Sequence, residues 1–251
     1  MARPLAGGPD LTGKRVLLVG AGGLGCPAGL ILARSGVGQI DIADDDAVDE
    51  TNLHRQTLYR PGDVGQSKAR VASARLVEAA ASAGLGVGTV AREIRVLPEY
   101  AREIVAGYDL VLEGADNFAT KFLVADACAL TGITLVQAGA VRWVGWALGS
   151  LPGQSACLRC VFEDVPGGVQ DTCAEAGVVG PAVGVVGALQ AAIALRLLAG
   201  DSSAAGELWS YEALPGTLRR RRITAQPGCP LCTGRITDTE ISRYVPPECA
   251  A

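Results

Sequence analysis

Residues 15–43 read RVLLVGAGGLGCPAGLILARSGVGQIDIA, and their pattern decides the fold. The first six, residues 15–20, are a continuous apolar run, the pattern of a strand buried on both faces of a parallel sheet. Residues 21–25 carry the turn, residues 27–34 continue as a helix ending near Gly36, and residues 39–43 are a second strand. Strand, Gly-rich turn, helix and strand in this order make one mononucleotide-binding half of a doubly wound sheet. Gly20, Gly22, Gly23 and Gly25 (GAGGLG) permit the tight turn and close backbone approach, and the helix N-terminus behind them offers free N–H groups to phosphate.

Alternation continues downstream. Residues 69–83 have helical composition, 87–92 look like a third strand, 99–105 a short helix, 109–113 a fourth strand, 119–130 a helix and 133–138 a fifth strand. That order predicts an α/β, doubly wound, Rossmann-like and mostly parallel sheet. From residue 141 the pattern changes to a β segment over 141–151 and a long irregular stretch over 152–177, a length that is usually functional inside a compact domain. An apolar helix over 178–198 and β segments at 207–212 and 217–223 follow, predicting a C-terminal antiparallel part. The chain reads as one domain over residues 1–251: a nucleotide-binding half (10–140), a second half (141–236) and a mobile tail (237–251).

Composition bounds the function. The chain has 251 residues, a net charge of −4 and 49% hydrophobic residues, enough to bury a core without disulfides. The one basic run, Arg219 to Arg222, lies in a strand-like segment and reads as a solvated edge, so no nucleic-acid partner is expected. No secretory signal opens the chain. Gln190 and Arg196 interrupt the apolar run, while Gly180, Gly184 and Gly187 suit close helix packing, so a core helix fits better than a membrane span. A cytoplasmic protein is expected, in which the eight cysteines are thiols or metal ligands.

The Gly-rich turn alone admits either NAD or ATP. Asp44, ending the second strand, is placed for ribose hydroxyls, as in an NAD-dependent dehydrogenase; a turn without any ligand is the plain alternative. Asn52, Arg55 and Lys68 follow, with Gln56 beside Arg55, and a dehydrogenase has no need of them there. With Asp116 they suit ATP, its phosphates neutralised by side chains and its Mg²⁺ held by carboxylate.

Two C-x-x-C pairs, Cys157/Cys160 and Cys229/Cys232, offer the four thiolates of a tetrahedral structural Zn²⁺ site. The 68 residues between the pairs exceed zinc-ribbon spacing, so their convergence is an expectation, and a redox role for each pair is the rival. Cys173 stands apart, as a buried small hydrophobe or a reactive thiol.

As an ordered set, GAGGLGCP, Asp44/Asp46, NLHRQ (52–56), GQSK (65–68), ADN (115–117), CLRC (157–160), TCAEAGVVGP (172–181) and PGCPLC (227–232) resemble the HesA/MoeB/ThiF family, bacterial relatives of ubiquitin-activating enzymes. The resemblance implies an adenylyltransferase. ATP and the C-terminal Gly carboxylate of a small ubiquitin-like sulfur carrier ending in Gly-Gly would give an acyl adenylate and pyrophosphate. It implies ribose contact for Asp44, phosphate contact for Arg55 and Lys68, triphosphate orientation for Asn52 and Mg²⁺ for Asp116. Asp46, Gln56 and Asn117 join the nucleotide set, and Cys173 is a thiol able to join the carrier covalently. A homodimer and a separate sulfur donor are also implied. One departure stands out: family members begin with a helix carrying an Arg-rich motif that reaches the partner's ATP, whereas only Arg3 precedes the first strand region here. A carrier-binding scaffold without turnover is therefore the competing expectation.

Overall fold

A computed structural model of the chain describes residues 8–165 and 177–244. Five parallel strands form its first half: β1 (Arg15–Val19), β2 (Gln39–Ala43), β3 (Ala91–Arg92), β4 (Leu110–Glu113) and β5 (Thr134–Val141). Strands β6 (Val144–Ser150), β7 (Glu207–Glu212) and β8 (Thr217–Arg222) continue the same sheet antiparallel. The order is β3-β2-β1-β4-β5-β6-β7-β8. Beyond β1 the chain winds outward to β2 and β3, then returns to lay β4 on the other side of β1.

The alternation of β1 explains its continuous apolar run. Val16 and Leu18 enter one core with Leu32 of α1 (Gly25–Arg34) and Leu76 of α2 (Lys68–Ser82). Leu17 and Val19 enter the other with Val105 of α3 (Ala101–Val105) and Phe122 of α4 (Phe118–Thr131). A strand clad on both faces has no polar side to show. The 152–177 stretch holds a short helix, α5 (Arg159–Phe162), that the irregular pattern concealed.

The apolar run is α6 (Gly180–Leu198), long and apolar enough to span a bilayer by composition, yet it packs on α1, β5 and β6. Its glycines divide in role. A methyl on Gly187 would meet Leu24 O and Pro27 Cγ at 2.6 Å, and one on Gly180 would meet His54 O at 2.7 Å, whereas Gly184 has open space. Only two of the three serve close packing.

Two expectations shift. The third strand shrinks to Ala91–Arg92, with one isolated bridge from Gly88 to Gln39, because the glycines at 84, 86 and 88 weaken an edge strand despite the β-branched Val87, Thr89 and Val90 beside them. The stretch read as a tail from residue 237 is anchored as far as Tyr244, which is buried and donates its hydroxyl to Asp126 Oδ2 at 3.0 Å, while Thr239 Oγ1 bonds Pro98 O. Arg219, Arg220 and Arg222 lie on the edge strand in ion pairs with Glu212 and Glu207, as a solvated edge should.

Candidate active site

Ligands of open α/β sheets bind outside the carboxyl ends of the strands where the strand order reverses. Here that place lies between β1 and β4, and it opens into a cleft of about 980 Å³.

The turn after β1 forms its floor. Gly20 has φ +84°, and a methyl there would crowd the Gly114–Ala115 backbone at 3.1–3.2 Å. Gly25 has no room at all, since an added Cβ would lie 2.0 Å from Gly20 O. Gly22 differs: its nearest obstacle is Gln56 Nε2 at 3.6 Å, so the fold itself does not require glycine. Neither does it at Gly23, where Val183 is 3.4 Å away. The N–H groups of Gly22, Gly23 and Leu24 have no acceptor among the described residues and precede α1, whose dipole favours an anion.

Asp44 has a task that the sequence reading did not include. Its Oδ2 accepts the Ala21 N–H at 2.8 Å and its Oδ1 the Asp46 N–H at 2.9 Å, tying the turn to the end of β2. Burial pushes its carboxyl above the usual carboxylate range, while these N–H groups and Lys68 pull it back. Each oxygen keeps a second lone pair, and the residue lines the cleft. Tyr59 braces the turn from behind, donating its hydroxyl to Ala21 O at 2.7 Å.

The charged residues converge in part. Arg55 and Lys68 line the cleft with Asp44, Asp46, Gln56, Asp116 and Asn117. Lys68 is buried and pairs with the exposed Asp46 at 2.7 Å. Arg55 has one long contact, 3.5 Å to His54 Nε2. Gln56 is 4% exposed, and its Oε1 has no hydrogen-bond partner among the described residues. Asp116 is exposed, with no partner for its carboxylate among those residues. Asn117 doubles as the cap of α4, its Oδ1 accepting the Thr120 N–H at 2.8 Å. Asn52 is the exception: it does not line the cleft, and its carbonyl holds the Arg55 and Gln56 N–H groups. Arg3 and Cys173 lie outside the described residues.

Sequence reasoning missed the network under the cleft. Glu113, fully buried, meets Lys121 Nζ at 3.2 and 3.3 Å and accepts the Ala115 N–H at 2.6 Å and Gln137 Nε2 at 3.1 Å. Burial pushes its carboxyl up, against the pull of Lys121. Lys121 also bonds Ala138 O and sits 5.7 Å from the Trp146 ring centroid. One signal was legible: Glu113 is a charged residue closing the apolar run of β4.

The four cysteines meet. Cys157 Sγ lies 3.8 Å from Cys160, 3.6 Å from Cys229 and 3.5 Å from Cys232, and Cys160 and Cys232 are 3.5 Å apart. Four sulfurs at about 2.3 Å from one zinc are about 3.8 Å apart, so the cluster has the size of a tetrahedral metal site. Burial, then the neighbouring sulfurs, push the Cys157 thiol up, a strain that a cation in their midst relieves. N–H groups of Gln226 and Cys232 point at sulfurs. Arg159, between the first two cysteines, makes a buried two-point contact with Asp126 of α4, both distances 2.9 Å.

A doubly wound sheet, a phosphate-type turn facing cations and a free carboxylate, and a four-thiol cluster of the size of a metal site define an α/β protein of the nucleotide-binding class. The family model of the ThiF family matches residues 4–231, and the chain belongs to that family. It is 40% identical to a sulfur carrier protein adenylyltransferase of Thermus thermophilus over 91% of this chain and 86% of that one. An adenylyltransferase and sulfurtransferase of Dictyostelium discoideum is 37% identical over 96% of this chain, which spans 56% of that relative's length. Among solved structures, MccB of E. coli shares the fold with a TM-score of 0.75 at 23% identity, covering 88% of this chain and 66% of that one.

Proposed function

We propose that this chain is an ATP-dependent adenylyltransferase that activates the C-terminal Gly carboxylate of a ubiquitin-like sulfur carrier ending in Gly-Gly. The observation that carries the proposal is one cleft in which Arg55 and Lys68 share a wall with a turn of unpaired N–H groups and with the free carboxylate of Asp116. The names of the ThiF-family relatives support the substrate class. Gly22, free of any packing reason to be glycine, and the unsatisfied Gln56 Oε1 both fit a ligand pressed against the turn.

The reaction needs little from the protein beyond placement. A terminal carboxylate has a pKa of about 3.5 and is already ionised at neutral pH, so no base is required, in keeping with a single, exposed histidine. Its oxygen attacks the α-phosphorus of ATP, the α–β bridging bond breaks, and pyrophosphate leaves. Arg55 and Lys68 offset charge developing on the phosphates; Lys68 exchanges its pairing with Asp46 for them. Asp44 takes the ribose through its remaining lone pairs, Asn52 orients the triphosphate by shaping the Arg55–Gln56 backbone, and Asp116 with Asn117 beside it would hold Mg²⁺, which would supply charge neutralisation at the phosphates. Cys157, Cys160, Cys229 and Cys232 would hold a structural Zn²⁺, which would brace the fold rather than take part in the reaction. The enzyme works in the cytoplasm as a homodimer and uses Cys173 as the thiol that meets the activated carrier.

The test is ATP–pyrophosphate exchange in the presence of such a carrier. Exchange that depends on the carrier and disappears in Arg55→Ala and Asp116→Ala supports the proposal. Carrier binding without exchange favours the scaffold reading, and NADH binding without response to ATP contradicts both.

A further inference from the structure

Asp116 is exposed and its carboxylate has no hydrogen bond or ion pair with a described residue, so its position depends chiefly on the backbone that carries it. That backbone is held from below. The Gly114 N–H bonds Val19 O at 2.9 Å, and the Ala115 N–H bonds the Glu113 carboxylate at 2.6 Å. On the far side Asn117 is fixed as the cap of α4. We infer that Glu113 and Lys121 are positioning residues for the proposed adenylation, clamping the 114–116 turn so that Asp116 meets the metal-bound triphosphate. This rests on the adenylation reading of the cleft.

The chemistry of the pair argues for such a task. Glu113 is fully buried and Lys121 is 5% exposed. Bringing two charges out of water costs much of what their attraction returns, and an apolar pair of similar volume is often as stable. Stability alone therefore does not account for them. What an apolar pair cannot do is accept the Ala115 N–H, and a carboxylate does so more strongly than a neutral oxygen. Lys121 pulls that carboxyl toward its ionised form against the effect of burial: it donates to both Glu113 oxygens and to Ala138 O, and Trp146 of β6 closes over it. Gln137 of β5 donates to the second carboxylate oxygen and fixes the rotamer. Lys121 lines the cleft, but with its protons directed at protein acceptors it acts through Glu113 and Ala115.

Two double variants test the clamp. Glu113→Met with Lys121→Met removes both buried charges and the acceptor together. Glu113→Gln with Lys121→Met removes the charges but restores an oxygen for the Ala115 N–H. The readout is the Mg²⁺ concentration giving half-maximal carrier-dependent ATP–pyrophosphate exchange, with thermal melts alongside. The Met/Met enzyme is expected to fold and to need about tenfold more Mg²⁺, the worth of one hydrogen bond to a charged group. The Gln/Met enzyme should recover most of that loss. A purely structural pair would change the melting temperature and leave the metal requirement of the folded enzyme alone. A folded Met/Met enzyme with the wild-type requirement overturns the inference, as does equal impairment of both variants. A Met/Met chain that does not fold also overturns it, since the pair would then be holding the fold. Absence of exchange in the wild type is a different failure and refutes the adenylation reading itself.

Discussion

Gly22→Ala and Gly25→Ala change neighbouring positions by the same methyl, yet they should fail in opposite ways. At Gly25 the new Cβ would lie 2.0 Å from Gly20 O and 3.0 Å from its carbonyl carbon, both backbone atoms that no rotamer change can move. The turn must separate from α1, at a cost of about 3 kcal/mol or more, the upper range for overpacking. In a domain of this size that lowers the melting temperature by roughly 6–12 °C. At Gly22 the methyl has 3.6 Å of clearance, reaches only the end of a flexible Gln56 side chain, and sits on backbone without positive φ. Stability should hold or rise by about 0.5 kcal/mol, because alanine restricts the unfolded chain. The methyl instead fills space over the unpaired N–H groups, and losing one such contact costs at least about 1.4 kcal/mol, or tenfold in nucleotide affinity. Thermal melts with ATP titration calorimetry separate the outcomes. A Gly22→Ala protein that binds ATP as the wild type does, or melts as early as Gly25→Ala, refutes the assignment of the turn to phosphate.

Three further outcomes follow from other parts of the molecule. Asp126→Ala removes the two-point partner of the buried Arg159 guanidinium, leaving it the exposed Asp164 and Glu163 O, and releases Tyr244, so it should cost about 3 kcal/mol in a denaturant titration; a loss below about 1 kcal/mol, the worth of an exposed pair, would place that contact in solvent. The protein should contain about one zinc per chain by elemental analysis, and stripping it should lower the melting temperature by about 10 °C or more; a metal-free protein of unchanged stability would contradict the four-thiol site. Burial lifts the Cys26 thiol from 9.0 to about 12. A raised thiol is protonated in the fold after it would ionise in the open chain, so its contribution is intact below pH 9 and fades as pH climbs toward 12. Native alkylation at pH 8 should accordingly spare Cys26, with mass spectrometry of the digest as the check.

The sheet was legible because its strands are buried on both faces. Residues 16–19 and 110–112 are apolar without alternation, and such runs between helical stretches admit few other folds, whereas residues 39–43 alternate, with Asp41 buried against the Tyr108 hydroxyl. Where a strand lacks that burial, as at β3, the reading overran the element. The cleft was legible in its motifs but not in its geometry. Asn52 follows the ordered motif yet lies off the lining: it ends a one-turn helix, and its carbonyl takes up the Arg55 and Gln56 N–H groups. Asp44 was read for a ligand alone, although two backbone N–H groups already occupy it. Lys121 sits in an ordinary helical stretch, where a lysine reads as solvated; only the tertiary approach of Glu113 and Trp146 buries it. The cysteine pairs declared themselves by spacing, but their convergence depends on β6 and β7 pairing, which no local pattern specifies.

The central claim is that this cleft joins AMP to a carrier's terminal carboxylate. The most direct measurement is intact-mass spectrometry of a Gly-Gly-ending carrier mixed with the enzyme, ATP and Mg²⁺, with pyrophosphatase drawing the reaction forward. The carrier should appear with one AMP attached, and should not when its last glycine is removed or when Asp116→Ala replaces the wild type. An unmodified carrier in the presence of folded, zinc-loaded, ATP-bound enzyme would contradict the account.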